Sequence, residues 1–156
     1  MSAETQILDQ IKTDLDFIRS ANGYTNNLSK VLEGYVPLSA ENDFDCAYFF
    51  MGDRKPVRSY NDNEPAQWEG TLWIIIQLKS TEGNLSRAIE SWVEDFRKWL
   101  WQGAGITANK WYTLDTSLSS IVPYGGKELQ IIAPNSLWDK HCSELTFKIN
   151  INYEIN

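Results

Sequence analysis

The stretch ELTFKININYEI, residues 144–155, alternates without a break. Leu145, Phe147, Ile149, Ile151, Tyr153 and Ile155 interleave with Glu144, Thr146, Lys148, Asn150, Asn152 and Glu154. Successive side chains of a strand point to opposite faces, so this pattern predicts a half-buried strand with one apolar face. A slip of one residue would turn every apolar side chain to water, which makes the register firm.

A strand needs a partner and a cover, and both are legible upstream. Thr71 to Lys79 predicts a second strand, with Leu72, Ile74, Ile76 and Leu78 on one face. Its other face carries Trp73 and Ile75 and is expected to pack partly against this chain or a neighbour. Phe44 to Met51 is nearly all apolar and reads as a buried strand ending at Gly52-Asp53.

Two segments carry helical spacing. Ile7, Leu8, Ile11, Leu15 and Ile18 recur at three- and four-residue steps, with Ser2 as cap and Asn22-Gly23 as the stop. Asp9, Lys12, Asp14 and Asp16 fall mostly off that stripe. A second helix is predicted from about Leu85 to Gln102, capped by Asn84, with a broad apolar face from Leu85 through Trp92 and Phe96 to Leu100. Val31-Leu32 is a short apolar segment closed by Gly34, and Pro37 argues against a regular central strand there. Trp111–Val122 and Glu128–Ala133 read as two strands around a Gly125-Gly126 hairpin turn, with Pro134-Asn135-Ser136 as another turn. The expected fold class is α+β: one domain over residues 1–156, a mainly antiparallel sheet with two helices packed on one face.

Residues 53–69 break the apolar pattern with Arg54, Lys55, Pro56, Arg58, Asn61, Asp62, Asn63 and Pro65. The segment is too polar for a core and longer than most connections. It is expected to be an extended loop or hairpin arm.

Composition narrows the partners. The net charge is −7 and the cations are scattered, so neither duplex DNA nor an anionic membrane finds a cation cluster to bind. The longest apolar run, around Leu72 to Ile76, is far too short to span a bilayer. Seven Trp, seven Tyr and six Phe are an unusual load of large rings, filling either a Trp-rich core or interface anchors. Cys46 and Cys142 form no CxxC pair and suggest reduced, intracellular thiols. The start, Met1-Ser2-Ala3-Glu4, lacks the pattern of an export signal.

Catalytic signatures are sparse. His141 is the single histidine; its neighbour Cys142 would point to the opposite face of a strand, which disfavours a Cys-His pair. Asp43 with Asp45, and Asp14 with Asp16, are more simply solvated carboxylates than an acid/base pair. The sequence holds no EF-hand spacing, HExxH, GxGxxG or GxxxxGK[ST], and its Cys and His are too few for an ordinary structural zinc site. No cofactor and no metal are implied, and an enzyme is not expected.

Ser20-Ala21-Asn22-Gly23-Tyr24 with Val31, Gly34 and Pro37, then Gly70 to Ile76 running into Ala88, Ile89 and Phe96-Arg97, then Ile151-Asn152-Tyr153-Glu154, form a pattern over nearly the whole chain. It resembles the small tail-terminator and tail-completion proteins of long-tailed bacteriophages. The resemblance implies an α+β subunit that forms a ring, commonly of six, at the head-proximal end of a tail tube. Its partners would be itself, the tail-tube protein and the head connector or head-closure protein. DNA would pass without specific binding, aided by an acidic surface that repels phosphate. The setting would be the virion, at the head–tail interface, after assembly in the host cytoplasm. Assembly contacts are expected from Arg54, Lys55, Arg58, Tyr60 and Trp68 of the arm, together with Trp111 and Trp138. A head-closure or tail-tube subunit is the nearest alternative. A small enzyme or a monomeric binding module would be the alternative from another class.

Overall fold

The computed structural model describes residues 3–58, 67–102, 118–123 and 129–155. The elements run α1 (Ala3–Leu15), β1 (Lys30–Glu33), β2 (Cys46–Arg58), β3 (Gln67–Lys79), α2 (Leu85–Gln102), β4 (Leu118–Pro123), β5 (Leu129–Leu137) and β6 (Cys142–Ile155). Six strands form one mixed, mostly antiparallel sheet, and β1, β2, β3, β6 and β4 follow one another across it. The fold is α+β, as expected from the sequence.

The centre of the sheet is the β3–β6 pair, matched from Gln67↔Glu154 to Lys79↔Cys142. This register sets Leu72 opposite Ile149, Ile74 opposite Phe147 and Ile76 opposite Leu145, so the two apolar stripes share one face. Both helices close that face. Ile7, Ile11 and Leu15 of α1 and Ile89, Trp92, Phe96 and Leu100 of α2 join the sheet residues in one buried cluster. Phe96 stacks on Phe147 with ring centroids 3.7 Å apart. α2 occupies the predicted span, and the Asn84 carbonyl accepts from the Ala88 N–H at 3.0 Å as the helix begins.

Several elements differ from the sequence expectation. α1 stops at Leu15, and a separate 3-10 turn, Ser20–Asn22, precedes Gly23 in the left-handed conformation. Ile18 nevertheless stays fully buried, because the chain turns back over the core. Asp14 is buried too: its side chain accepts from Gln10 Nε2 at 3.1 Å, and its carbonyl accepts from the Trp99 indole at 3.0 Å, tying α1 to α2. Val31-Leu32 lies in a short edge strand parallel to β2, with Lys30 opposite Cys46 and Glu33 opposite Phe49.

Gly125-Gly126 lie outside the described residues, but the strands on either side do not form the expected hairpin pair. β4 and β5 both pair antiparallel with β6, β4 with Ile151–Ile155 and β5 with Cys142–Ile149. Since β3 takes the other edge of β6, the two strands lie end to end along a single edge. Each has an adequate strand pattern, but the pattern does not name its partner. Pro134-Asn135-Ser136 is not a turn but part of β5, at a register shift between Ile132 and Asn135. The true reversal follows at Trp138–Lys140 and ends on His141 at φ 55.

Asp95, buried in α2, fixes the turn after α1. Its carboxylate accepts from the backbone N–H groups of Thr25 and Asn26 at 3.0 and 2.7 Å, and from the Asn26 amide at 2.8 Å. Three donors suit the acceptor capacity of an ionised carboxylate and offset its burial. Tyr24 lies beside it, with a buried hydroxyl that has no hydrogen-bond partner among the described residues. Burial first, then the Asp95 and Asp14 charges, push the Tyr24 pKa up to about 12.

Two outcomes are expected. Phe147→Ala should cost about 3–5 kcal/mol, read from urea unfolding, because a ring between sheet and helix leaves a cavity. Tyr24 keeps its proton to about pH 12 when folded but only to about pH 10 when unfolded. Its contribution is therefore intact below pH 10 and is lost as pH rises toward 12. Tyr24→Phe should leave stability at pH 7 nearly unchanged or improved, since it removes an orphaned donor, and should reduce the alkaline loss.

Candidate functional site

The sheet face opposite the helices is the candidate surface. The same β3–β6 register that buries Leu72 and Phe147 on one side aligns Trp73 with Lys148, Ile75 with Thr146 and Gln77 with Glu144 on the other. β2 adds Phe50 beside Trp73 and Tyr48 beside Ile75, and β1 sets Leu32 beside Tyr48. Cys46, Tyr48 and Ile75 form a small buried cluster, with half-buried Phe50 packed against it. Phe50 and Trp73 stack at 6.2 Å with planes 12° apart, and the Lys148 ammonium lies 5.3 Å from the Trp73 ring centre. The face is thus apolar and aromatic in its middle, as the Trp73–Ile75 pattern suggested.

A glycine shapes it. The β2–β3 pairing slips between Met51 and Arg54, and Gly52 sits in that bulge. A Cβ at Gly52 would lie 2.6 Å from the Trp73 Nε1 and 3.0 Å from its Cδ1, so the indole occupies the space a side chain would need. Bulges bend a strand and re-aim its side chains.

The arm is a continuation of the sheet in its described parts. β2 runs past Gly52-Asp53 to Arg58, and β3 begins at Gln67. Polar residues are tolerated because β2 beyond Phe49 has no β1 neighbour and stands at an edge. Arg54 reaches Glu4 at 3.9 Å, and Glu4 also accepts from the Tyr153 hydroxyl at 2.7 Å. Lys55 pairs with Glu69 at 3.4 Å. Arg58 lies at the last described position of β2, opposite Gln67. Trp68 is half-buried and packs on the helix-side core. Tyr60 and Trp111 lie outside the described residues.

Trp138 is 57% exposed, at the reversal between β5 and β6. That reversal adjoins Cys142, opposite Lys79, whereas the arm adjoins Gln67. Twelve residue steps of β3, about 40 Å, separate the two ends. The described candidate residues therefore divide between opposite ends of the sheet.

Beside the arm, Asp53, Lys55, Glu69, Thr71 and Asn150 line an open groove of about 210 Å³, smaller than the roughly 300–1,000 Å³ of ligand pockets. His141 takes up a tight-turn conformation and its carbonyl accepts from the Ser80 N–H. Among the described residues, no three His, Cys, Asp or Glu side chains are grouped to hold a metal. Asp43 bonds Lys30 at 2.7 Å, and burial raises the Asp45 carboxyl.

Sequence reading missed one cluster. Gln77 and Glu144 are 0% and 8% exposed, and Gln77 Nε2 approaches a Glu144 oxygen at 3.2 Å. The available signal was Gln77 itself, a lone amide within an apolar strand.

No family model matches the chain, and no curated protein matches it.

The packing of Trp73 on Gly52 gives a double-mutant test. Gly52→Ala is expected to cost about 1–3 kcal/mol, as overpacking does. In a Trp73→Ala background the same change should cost far less. Additive losses in urea unfolding would show that the two residues are not coupled.

Proposed function

We propose that this chain is a virion structural protein of a long-tailed bacteriophage, a tail terminator that caps the head-proximal end of the tail tube as a ring and presents a docking surface to the head connector. The observation that supports this reading most is the distribution of its surfaces. Helices close one sheet face. The other keeps an aromatic centre, and two differently built ends lie about 40 Å apart. A ring requires heterologous contacts, in which one patch meets a different patch on the next copy. A subunit with a charged arm at one end and Trp138 at the other has that asymmetry.

The joining contacts are side-chain contacts in this reading, with no strand added to the sheet. The free part of β2 carries two register shifts and Pro56, features that blunt an edge against pairing. The outer edge of β4 and β5 is likewise interrupted and carries Pro123 and Pro134. The acidic balance of −7 favours a channel that does not hold DNA.

Native mass spectrometry and electron microscopy of the purified chain test the proposal. A closed ring that blocks growth at tail-tube ends is expected. Phe50→Glu should shift the ring toward monomer with an unchanged circular dichroism spectrum, and removal of residues 60–65 should weaken assembly in the same way. A chain that stays monomeric at high concentration and in the presence of tube ends would refute the reading. Open-ended tubes formed by the chain alone would make it a tube subunit instead.

A further inference from the structure

The segment between β1 and β2 crosses the end of the helix-free face in an unusual way. None of residues 34–45 is buried. Tyr35 and Val36 remain 43% and 47% exposed, while the polar groups Gln77 and Glu144 are buried beneath the segment. The segment is held by hydrogen bonds to those two residues. The Tyr35 hydroxyl donates to Glu144 Oε2 at 2.5 Å, Gln77 Nε2 donates to the Val36 carbonyl at 2.7 Å, and Asn42 Nδ2 donates to Gln77 Oε1 at 3.0 Å. The Tyr35 ring also meets Tyr48 edge-on at 6.0 Å.

Both ends of the segment are left-handed, Gly34 at φ 104 and Asp45 at φ 56. Each is also tied to the sheet, Gly34 N–H to the Phe49 carbonyl at 2.9 Å and the Asp45 carbonyl to Ser29 N–H at 2.7 Å. The span between two anchored, sharply turned residues thus contributes no side chain to the core. Segments with few buried apolar contacts open at free energies well below that of global unfolding.

We propose that residues 35–44 form a strap that swings open as a unit about Gly34 and Asp45, latched by Glu144 and Gln77, and uncovers the Cys46–Tyr48–Ile75 cluster while the sheet stays folded. Closed, it spares the Glu144 carboxylate an unpaired burial, which is costly. Open, it exposes apolar surface continuous with Phe50 and Trp73. Burial raises both thiols, and a strap charge adds to each, Asp43 for Cys46 and Glu41 for Cys142, against the lowering effects of Tyr48 and Lys79 respectively. The inference does not depend on the phage assignment.

Cys46, fully buried, serves as a native reporter. The intact protein is exposed to iodoacetamide under native conditions, and alkylation of Cys46 is timed by peptide mass spectrometry. Hydrogen exchange of the slowest β3 and β6 amides is followed in parallel. Tyr35→Phe and Asn42→Ala are each expected to raise the Cys46 alkylation rate about tenfold, with slow-amide exchange unchanged. Two results would overturn the strap: alkylation rates that do not change in either variant, or rates that rise only in step with the slow amides. Neither Tyr35 nor Asn42 is buried, and the slow-amide exchange reports in the same samples whether a variant loosens the fold as a whole.

Discussion

The antiparallel ladder between β3 and β6 is the constraint from which the other features follow. It is matched along the whole of β3, from Gln67 to Lys79, and it aligns two alternating sequences in a single phase. With Leu72, Ile74 and Ile76 facing α2, the positions between them must face away. The helix-free surface is therefore a necessary companion of the core, and its aromatic character comes from Trp73 of β3 together with Tyr48 and Phe50, which β2 sets beside it.

The ladder also explains why polar groups are buried at the rim of that surface. Gln77 and Glu144 are cross-strand partners, so a shift in register would separate them and leave a buried carboxylate facing apolar neighbours. Their pairing adds a polar penalty for misregistration to the hydrophobic one. Asp95 plays a comparable part on the other side, where three donors from one turn converge on it and place Tyr24 against α2.

Where the sequence carried a periodic signal, it was legible. The alternation of residues 144–155 placed β6, the broad apolar face of 85–102 placed α2, and Trp73 with Ile75 marked the second face as partly apolar. Partnership was not legible. Nothing in the residues around Gly125-Gly126 distinguishes two strands that pair with each other from two that share a third. Asp14 looks like a solvated acid in a linear reading, and only the arrival of Trp99 gives it its place; nothing in the sequence marks Asp95 as the anchor of Thr25 and Asn26. Arg54, Lys55, Trp68 and Trp138 were singled out by residue type, which says nothing about the 40 Å that divides them. The polar run after Gly52 allowed a hairpin arm but hid that β2 runs on to Arg58, because an edge position does not require an apolar face.

The end-to-end placement of β4 and β5 has a consequence for how the chain tolerates change. Pro123 pairs with Ile151 and Leu129 with Ile149, so two positions of β6 are matched by six from β4 to β5. The surplus decouples the two registers: length gained or lost between residues 123 and 129 moves neither flank along β6. Loop-closure entropy grows only slowly with length. This junction is thus a natural place to graft an epitope or a fluorophore, and one where related chains are free to differ in length without disturbing the sheet.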